Sequence, residues 1–127
     1  MKVLMKTILV VDDDQMLLEM YQMKFSRLGY NLQIVSEPQN LLQEIEKSKP
    51  AIILLDRRLG NVDGLQLLKN IRRSPAKDTP AFLLTNMEPT AEEMATVKAL
   101  GNTEYLIKEH NDLNTLSEKI KNLIGAA

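Results

Sequence analysis

Ala51-Ile52-Ile53-Leu54-Leu55-Asp56-Arg57-Arg58-Leu59-Gly60-Asn61-Val62-Asp63-Gly64 sets five apolar residues in a row, closes them with a carboxylate and then breaks into a turn-rich stretch. An unbroken apolar run fits a strand covered on both faces, since alternation is expected only where one face meets water. Thr7-Ile8-Leu9-Val10-Val11 and Ala81-Phe82-Leu83-Leu84-Thr85 read the same way. Leu32-Gln33-Ile34-Val35 and Tyr105-Leu106-Ile107 are shorter or more polar, which places them nearer the sheet edges.

Helical spacing fills the gaps between these runs. Leu17, Tyr21, Phe25 and Leu28 form a stripe ending at Gly29, a natural residue after a helix end. Leu41, Leu42 and Ile45 follow Pro38, which a first helical turn tolerates. Leu65, Leu68 and Ile71 make a third stripe, closed by Pro75. Thr90 and Glu93 have the spacing of a capping box, opening a fourth helix that stops at Gly101. Leu113, Leu116, Ile120 and Leu123 make the fifth. Five strands alternating with five helices mean an α/β domain with a parallel sheet.

Composition narrows the function classes. The 127 residues carry 16 basic and 17 acidic side chains, a formal net charge of −1, which argues against a broadly basic nucleic-acid binder. The absence of cysteine excludes a disulfide framework, thiolate catalysis and Cys-ligated metal sites, and suits a reducing cytosol. No apolar run approaches the ~20 residues of a membrane span. The start, Met1-Lys2-Val3-Leu4-Met5-Lys6, shows no extended apolar region with a small-residue cleavage site, so no signal peptide is expected. One domain over residues 1–127, with its core over about 6–124, is the expectation. Gly125-Ala126-Ala127 reads equally as a natural end or as the stub of a linker.

In open α/β sheets ligands sit beyond the carboxyl ends of the strands. Asp12, Asp13 and Asp14 follow the first run, Asp56 closes the third, Thr85 the fourth, and Lys108 follows the fifth. Singly each has an ordinary reading: helix cap, strand packing, surface charge. Together they bring carboxylates, a hydroxyl and an ammonium to one edge. Clustered carboxylates repel unless a cation sits among them, and with only hard oxygen ligands that cation is Mg²⁺ or Mn²⁺. One carboxylate could then attack phosphorus, with Lys108 and Thr85 helping to stabilise the transferring oxygens.

With these residues placed, the chain resembles the receiver domains of bacterial response regulators, of the chemotaxis-regulator type. Val10-Val11-Asp12-Asp13-Asp14, Leu55-Asp56 with Val62-Asp63-Gly64, Leu84-Thr85 and Tyr105-Leu106-Ile107-Lys108 match its four landmarks in order and spacing. The resemblance implies a doubly wound, flavodoxin-like (βα)5 fold with strand order 2-1-3-4-5. It makes Asp56 the phosphoacceptor, Asp12 and Asp13 the acidic pair that holds Mg²⁺ together with Asp56, and Arg58 a backbone-carbonyl ligand of that ion. Thr85 becomes the hydroxyl that follows the phosphoryl group, Lys108 its ion-pair partner and Tyr105 the aromatic switch. Asp14, Asp63 and Gly64 carry no family catalytic role, and Asp63-Gly64 starts the third helix.

Three departures stand out. Lys108 precedes Glu109 where the family usually has proline, commonly after a cis bond. A non-proline cis bond costs ~2.5–4 kcal/mol, so the loop either carries that strain or runs trans and alters the reach of Lys108. Gly60 replaces a common proline, and Asn86 stands where a smaller residue is usual. Arg58 and Met87 occupy lifetime-tuning places, so an atypical phosphoryl lifetime, of either sign, is expected.

Other residues invite plainer readings. His110 is a loop-surface residue, and the seven methionines are mostly core filler, with Met16, Met20 and Met23 on one helical face. Arg57-Arg58 and Arg72-Arg73 read as solvated charges. By resemblance the partners are a sensor histidine kinase or phosphotransfer protein, and an effector or output domain read by the face of the fourth helix, fifth strand and fifth helix. A phosphorylation-dependent homodimer is compatible and a cytoplasmic location is expected; direct nucleic-acid or membrane binding is not expected. Two alternatives are a degenerate receiver used only for binding and a Mg²⁺-dependent phosphatase of the haloacid-dehalogenase kind. The latter needs a second Asp where Arg58 stands. A flavodoxin-like cofactor binder fits less well, since three aspartates after the first strand repel phosphate.

Overall fold

Runs that are apolar on both faces can only be satisfied at the centre of a covered sheet. In the computed structural model, which describes residues 5–127, five parallel strands form: β1 (Thr7–Val11), β2 (Asn31–Val35), β3 (Ile52–Asp56), β4 (Ala81–Thr85) and β5 (Thr103–Ile107). Their order is β2-β1-β3-β4-β5. Every residue of β3 and β4 is buried, while the edge strands β2 and β5 are half-exposed. Register places Val10 beside Leu54, and Asp56 beside Leu84. The signal-peptide reading concerns a start whose residues 1–4 lie outside the described residues.

Helices α1 (Gln15–Arg27), α2 (Leu41–Ser48), α3 (Gly64–Arg72), α4 (Ala91–Leu100) and α5 (Leu113–Ile124) cover both faces. The period-2 alternation of a strand divides the core in two. Ile8, Val10, Ile52, Leu54, Phe82 and Leu84 pack with α1 and α5. Leu9, Val11, Ile53, Leu55 and Leu83 pack with α2, α3 and Val97 of α4. The fold is therefore the doubly wound, flavodoxin-like arrangement expected.

Helix starts cluster at the carboxyl edge of the sheet, and side chains cap them. Asp14 accepts from the Leu17 N–H, Asp112 from Thr115, and Thr90 with Glu93 forms the reciprocal capping box. At the opposite edge, Lys6 donates to the carbonyls of Ile124 (2.6 Å) and Ala126 (3.0 Å), placing a cation at the negative end of α5. The Tyr30 hydroxyl donates to the Gly125 carbonyl at 2.7 Å.

Several expectations need correction. The buried stripe of α1 is Leu18, Tyr21 and Phe25; Leu17 is only partly buried and Leu28 is an exposed cap residue beyond the last turn. Leu42 and Leu123 are likewise exposed, Leu42 one step around α2 from the buried Leu41 and Leu123 in the last turn of α5. Met5, Met16, Met20, Met23, Met87 and Met94 are all exposed, by 47–76 %, so the methionines among the described residues are not core filler. The choice left open at Lys108–Glu109 falls to trans, as does every peptide bond among the described residues. The stretch after β3 forms a small antiparallel hairpin, Arg58–Leu59 against Val62–Asp63, turning at Gly60 with φ +60°.

Candidate functional site

Each strand end contributes as its sequence dictates. β1 runs directly into Asp12, which is 2 % exposed and accepts from the Asp14 N–H at 3.0 Å. Asp13 is exposed beside it. Asp56 is the last residue of β3, buried, with one oxygen accepting from the Arg58 N–H at 3.3 Å. Thr85 ends β4, buried, its hydroxyl accepting from the Met87 N–H at 3.2 Å. Lys108 follows β5 and sets its Nζ 3.3 Å from Asp56 Oδ2 and 3.6 Å from Asp12 Oδ2. The trans loop thus leaves the ammonium within reach of the carboxylates.

Carboxylate oxygens of Asp12, Asp13 and Asp56 lie within 4.8 Å of one another. Burial pushes the Asp56 carboxyl above the ordinary aspartate range; Lys108 opposes that shift and Asp12 adds to it. The same field reaches α1, where burial and then Asp12, Asp56 and Asp14 push the Tyr21 phenol upward. An all-oxygen donor set carrying more negative charge than one lysine neutralises suits a hard divalent cation. Arg58 adds no carboxylate; its side chain is exposed, with Nη2 3.9 Å from the Met87 sulfur. Asp12, Asp13, Asp56, Arg58, Thr85 and Lys108 all line one cavity of about 460 Å³.

Gly64 shows how tightly the hairpin closes against the strand. A Cβ built there would meet the Asp56 carbonyl oxygen at 2.1 Å, so only glycine lets α3 begin this close to the end of β3. Its N–H donates to the Arg57 carbonyl at 2.7 Å.

Arg57 is the residue that sequence reasoning missed. It is not a solvated charge: its side chain is 19 % exposed and all three guanidinium nitrogens are engaged. Nε donates to Asp63 Oδ1 at 2.6 Å and Nη2 to Asp63 Oδ2 at 3.3 Å. Nη1 donates to Glu93 Oε2 and to the Tyr105 hydroxyl, the latter at 2.5 Å. The Asp63 carboxyl lies below its ordinary range: burial works against this, and hydrogen bonds from Arg57 and the Leu65 N–H overcome it. Glu93 falls to about 2, first through the Thr90 N–H and then through Arg57. Tyr105 is half-buried and held from beside the acidic cluster rather than lying free at the edge strand. A charged residue at the strand end with an aspartate six positions on was the available signal.

Arg72 is likewise engaged. It donates to the carbonyls of Lys77, Thr79, Gly101 and Asn102 and to the Thr103 hydroxyl, joining two loops at the amino edge of the sheet. Arg58, Arg73 and His110 are exposed.

Among known proteins, the chain is 30 % identical over 103 residues to the alkaline phosphatase synthesis transcriptional regulatory protein PhoP of Bacillus subtilis. That match covers 81 % of this chain but 42 % of PhoP, so the chain spans less than half the length of that relative. The solved chemotaxis protein CheY4 of Vibrio cholerae is similar at 26 % identity and a TM-score of 0.81, covering 94 % of this chain and 99 % of that one. The response regulator TrrA of Thermotoga maritima, solved in complex with Mg²⁺-BeF, is similar at 25 % identity and a TM-score of 0.77, covering 94 % and 99 %. The family model of the response regulator receiver domain matches residues 8–121, and the chain belongs to that family.

Proposed function

We propose that residues 1–127 are one receiver domain that takes a phosphoryl group onto Asp56 from the histidine of a kinase or phosphotransfer protein. The observation that carries this reading is the buried Asp56 carboxylate with the Lys108 ammonium 3.3 Å away and two further aspartates at the same strand edge. In the transfer, an Asp56 oxygen forms the new O–P bond as the P–N bond to the donor imidazole breaks, and the released nitrogen takes a proton. Hydrolysis reverses the charge change: water attacks phosphorus, the O–P bond breaks, and Asp56 and inorganic phosphate result.

Asp12, Asp13 and Asp56, with the Arg58 backbone carbonyl, are the residues that would hold Mg²⁺, or Mn²⁺ in its place. When bound, the ion neutralises the carboxylates and the transferring oxygens. Lys108 holds charge on the acceptor side, and the Thr85 hydroxyl donates to the phosphoryl group once it arrives. Thr85 and Tyr105 then alter the face of α4, β5 and α5, which an effector, an output domain or a second copy reads. Arg58, Met87 and the exposed Asn86 line the cavity over Asp56 and set a phosphoryl lifetime unlike the family's usual one. Histidine-kinase signalling makes the site of action the cytoplasm; no helix among the described residues is long and apolar enough to cross a membrane.

Intact-mass measurement with a small-molecule phosphodonor and Mg²⁺ tests this. One phosphoryl adduct, absent in Asp56→Asn, is the expected result. No adduct with either donor or kinase would leave a binding module in its place, and rapid multiple turnover of donor would indicate a phosphatase.

A further inference from the structure

Arg57 stands between the acceptor and two helix starts, and its contacts describe a mechanical linkage. Its backbone is pinned on both sides: the N–H donates to the Leu84 carbonyl at 2.7 Å and the carbonyl accepts from the Gly64 N–H at 2.7 Å. The next N–H along, that of Arg58, is the one bonded to the Asp56 carboxylate. A change in that carboxylate therefore acts directly on the peptide joining Arg57 to Arg58.

From there the guanidinium fork reaches three places. Asp63 is the N-cap of α3, accepting from the Leu65 N–H at 2.9 Å with the same oxygen that takes Arg57 Nε. Glu93 lies in the first turn of α4, with one oxygen on the Thr90 N–H at 2.9 Å and the other on Arg57. The third contact is the Tyr105 hydroxyl. One cation thus joins the carboxylates that cap α3 and steady α4, and also grips Tyr105. A planar guanidinium with every nitrogen engaged transmits displacement as a rigid body, which a flexible ammonium would not.

We propose that Arg57 is a positioning residue that carries the phosphorylation state of Asp56 to α4 and Tyr105, alongside the route through Thr85. This rests on the reading of Asp56 as the acceptor. The linkage ties Tyr105 to the first turn of α4, because both accept from one donor nitrogen, Nη1. It also makes the response of α4 and Tyr105 sensitive to a residue that belongs to neither α4 nor β5.

Beryllofluoride with Mg²⁺, as a phosphoryl mimic, and amide and tyrosine NMR shifts test the linkage. In the wild type, shifts are expected at Asp56 and Thr85 and at Glu93 and Tyr105. In Arg57→Gln the Asp56 and Thr85 shifts persist while those at Glu93 and Tyr105 shrink to the part carried through Thr85. Glu93→Gln keeps the α4 cap through its amide oxygen and is expected to lose the α4 shift while retaining that of Tyr105. Full remote shifts in Arg57→Gln, or wild-type behaviour of Glu93→Gln, would overturn the proposal. So would loss of the Asp56 shift in Arg57→Gln, since Arg57 would then act on binding itself. An absent Asp56 shift in the wild type would overturn the acceptor reading, and the linkage with it.

Discussion

The Lys108 ammonium lies 3.3 Å from a carboxylate oxygen of Asp56, although their strands β5 and β3 are separated by β4. The long side chain spans a whole strand to reach the acceptor. Replacing Lys108 by Ala is expected to slow phosphorylation of Asp56 about a hundredfold, the scale for losing one preorganised donor at a developing charge. Time courses with a small-molecule donor measure it. Equal rates in Lys108→Ala and wild type would remove Lys108 from the mechanism.

Gly64 tests the geometry of the strand end. A methyl group there would collide with the Asp56 carbonyl, so Gly64→Ala must shift backbone rather than a flexible side chain. The expected cost is about 1–3 kcal/mol, the usual scale of overpacking, together with slower phosphorylation. Urea unfolding and donor kinetics check both effects. Unchanged values for the pair would mean that α3 can retreat from β3 freely.

Arg72 supplies the contrast, a staple far from the acidic cluster. Arg72→Ala removes hydrogen bonds to four carbonyls and one hydroxyl and is expected to destabilise the fold by about 2 kcal/mol. Phosphorylation of the folded fraction should be unaffected. A lower urea midpoint at constant slope, with wild-type donor kinetics, is the result anticipated. A kinetic defect would tie the amino edge of the sheet to the site in a way this structure does not explain.

Much of this arrangement was legible in the chain because its signals are local. Continuous apolar runs mark covered strands, and Asp12, Asp56, Thr85 and Lys108 follow at the ends where α/β ligands collect. Arg57 was not legible, since two of its partners, Glu93 and Tyr105, lie 36 and 48 residues away. Long-range pairing leaves no periodicity to read. The methionines misled for another reason: hydrophobicity identifies residues that can be buried, but Met16, Met20 and Met23 lie away from the buried side of α1. Leu28 failed by position alone, falling one residue beyond Arg27, where α1 ends.

Glu93 gives the pH dependence. Its folded carboxyl is depressed from 4.5 to about 2, so its contribution to stability is present above pH 4.5 and is lost as pH falls toward about 2. Because the Thr90 N–H is the largest cause and Arg57 the second, Arg57→Gln should raise the Glu93 midpoint only in part. Carboxyl ¹³C shifts of Glu93 followed through acid titration report this. A midpoint near the ordinary glutamate value in the wild type would remove both the cap and the ion pair in solution.

The acceptor assignment is tested most directly by locating the phosphoryl bond. Borohydride converts an aspartyl phosphate to homoserine, leaving ordinary aspartate untouched, and peptide mass spectrometry then names the residue. After phosphorylation in the presence of Mg²⁺, homoserine is expected at position 56 and nowhere else. Homoserine at Asp12 or Asp13, or none under conditions that phosphorylate a control receiver, would contradict the account.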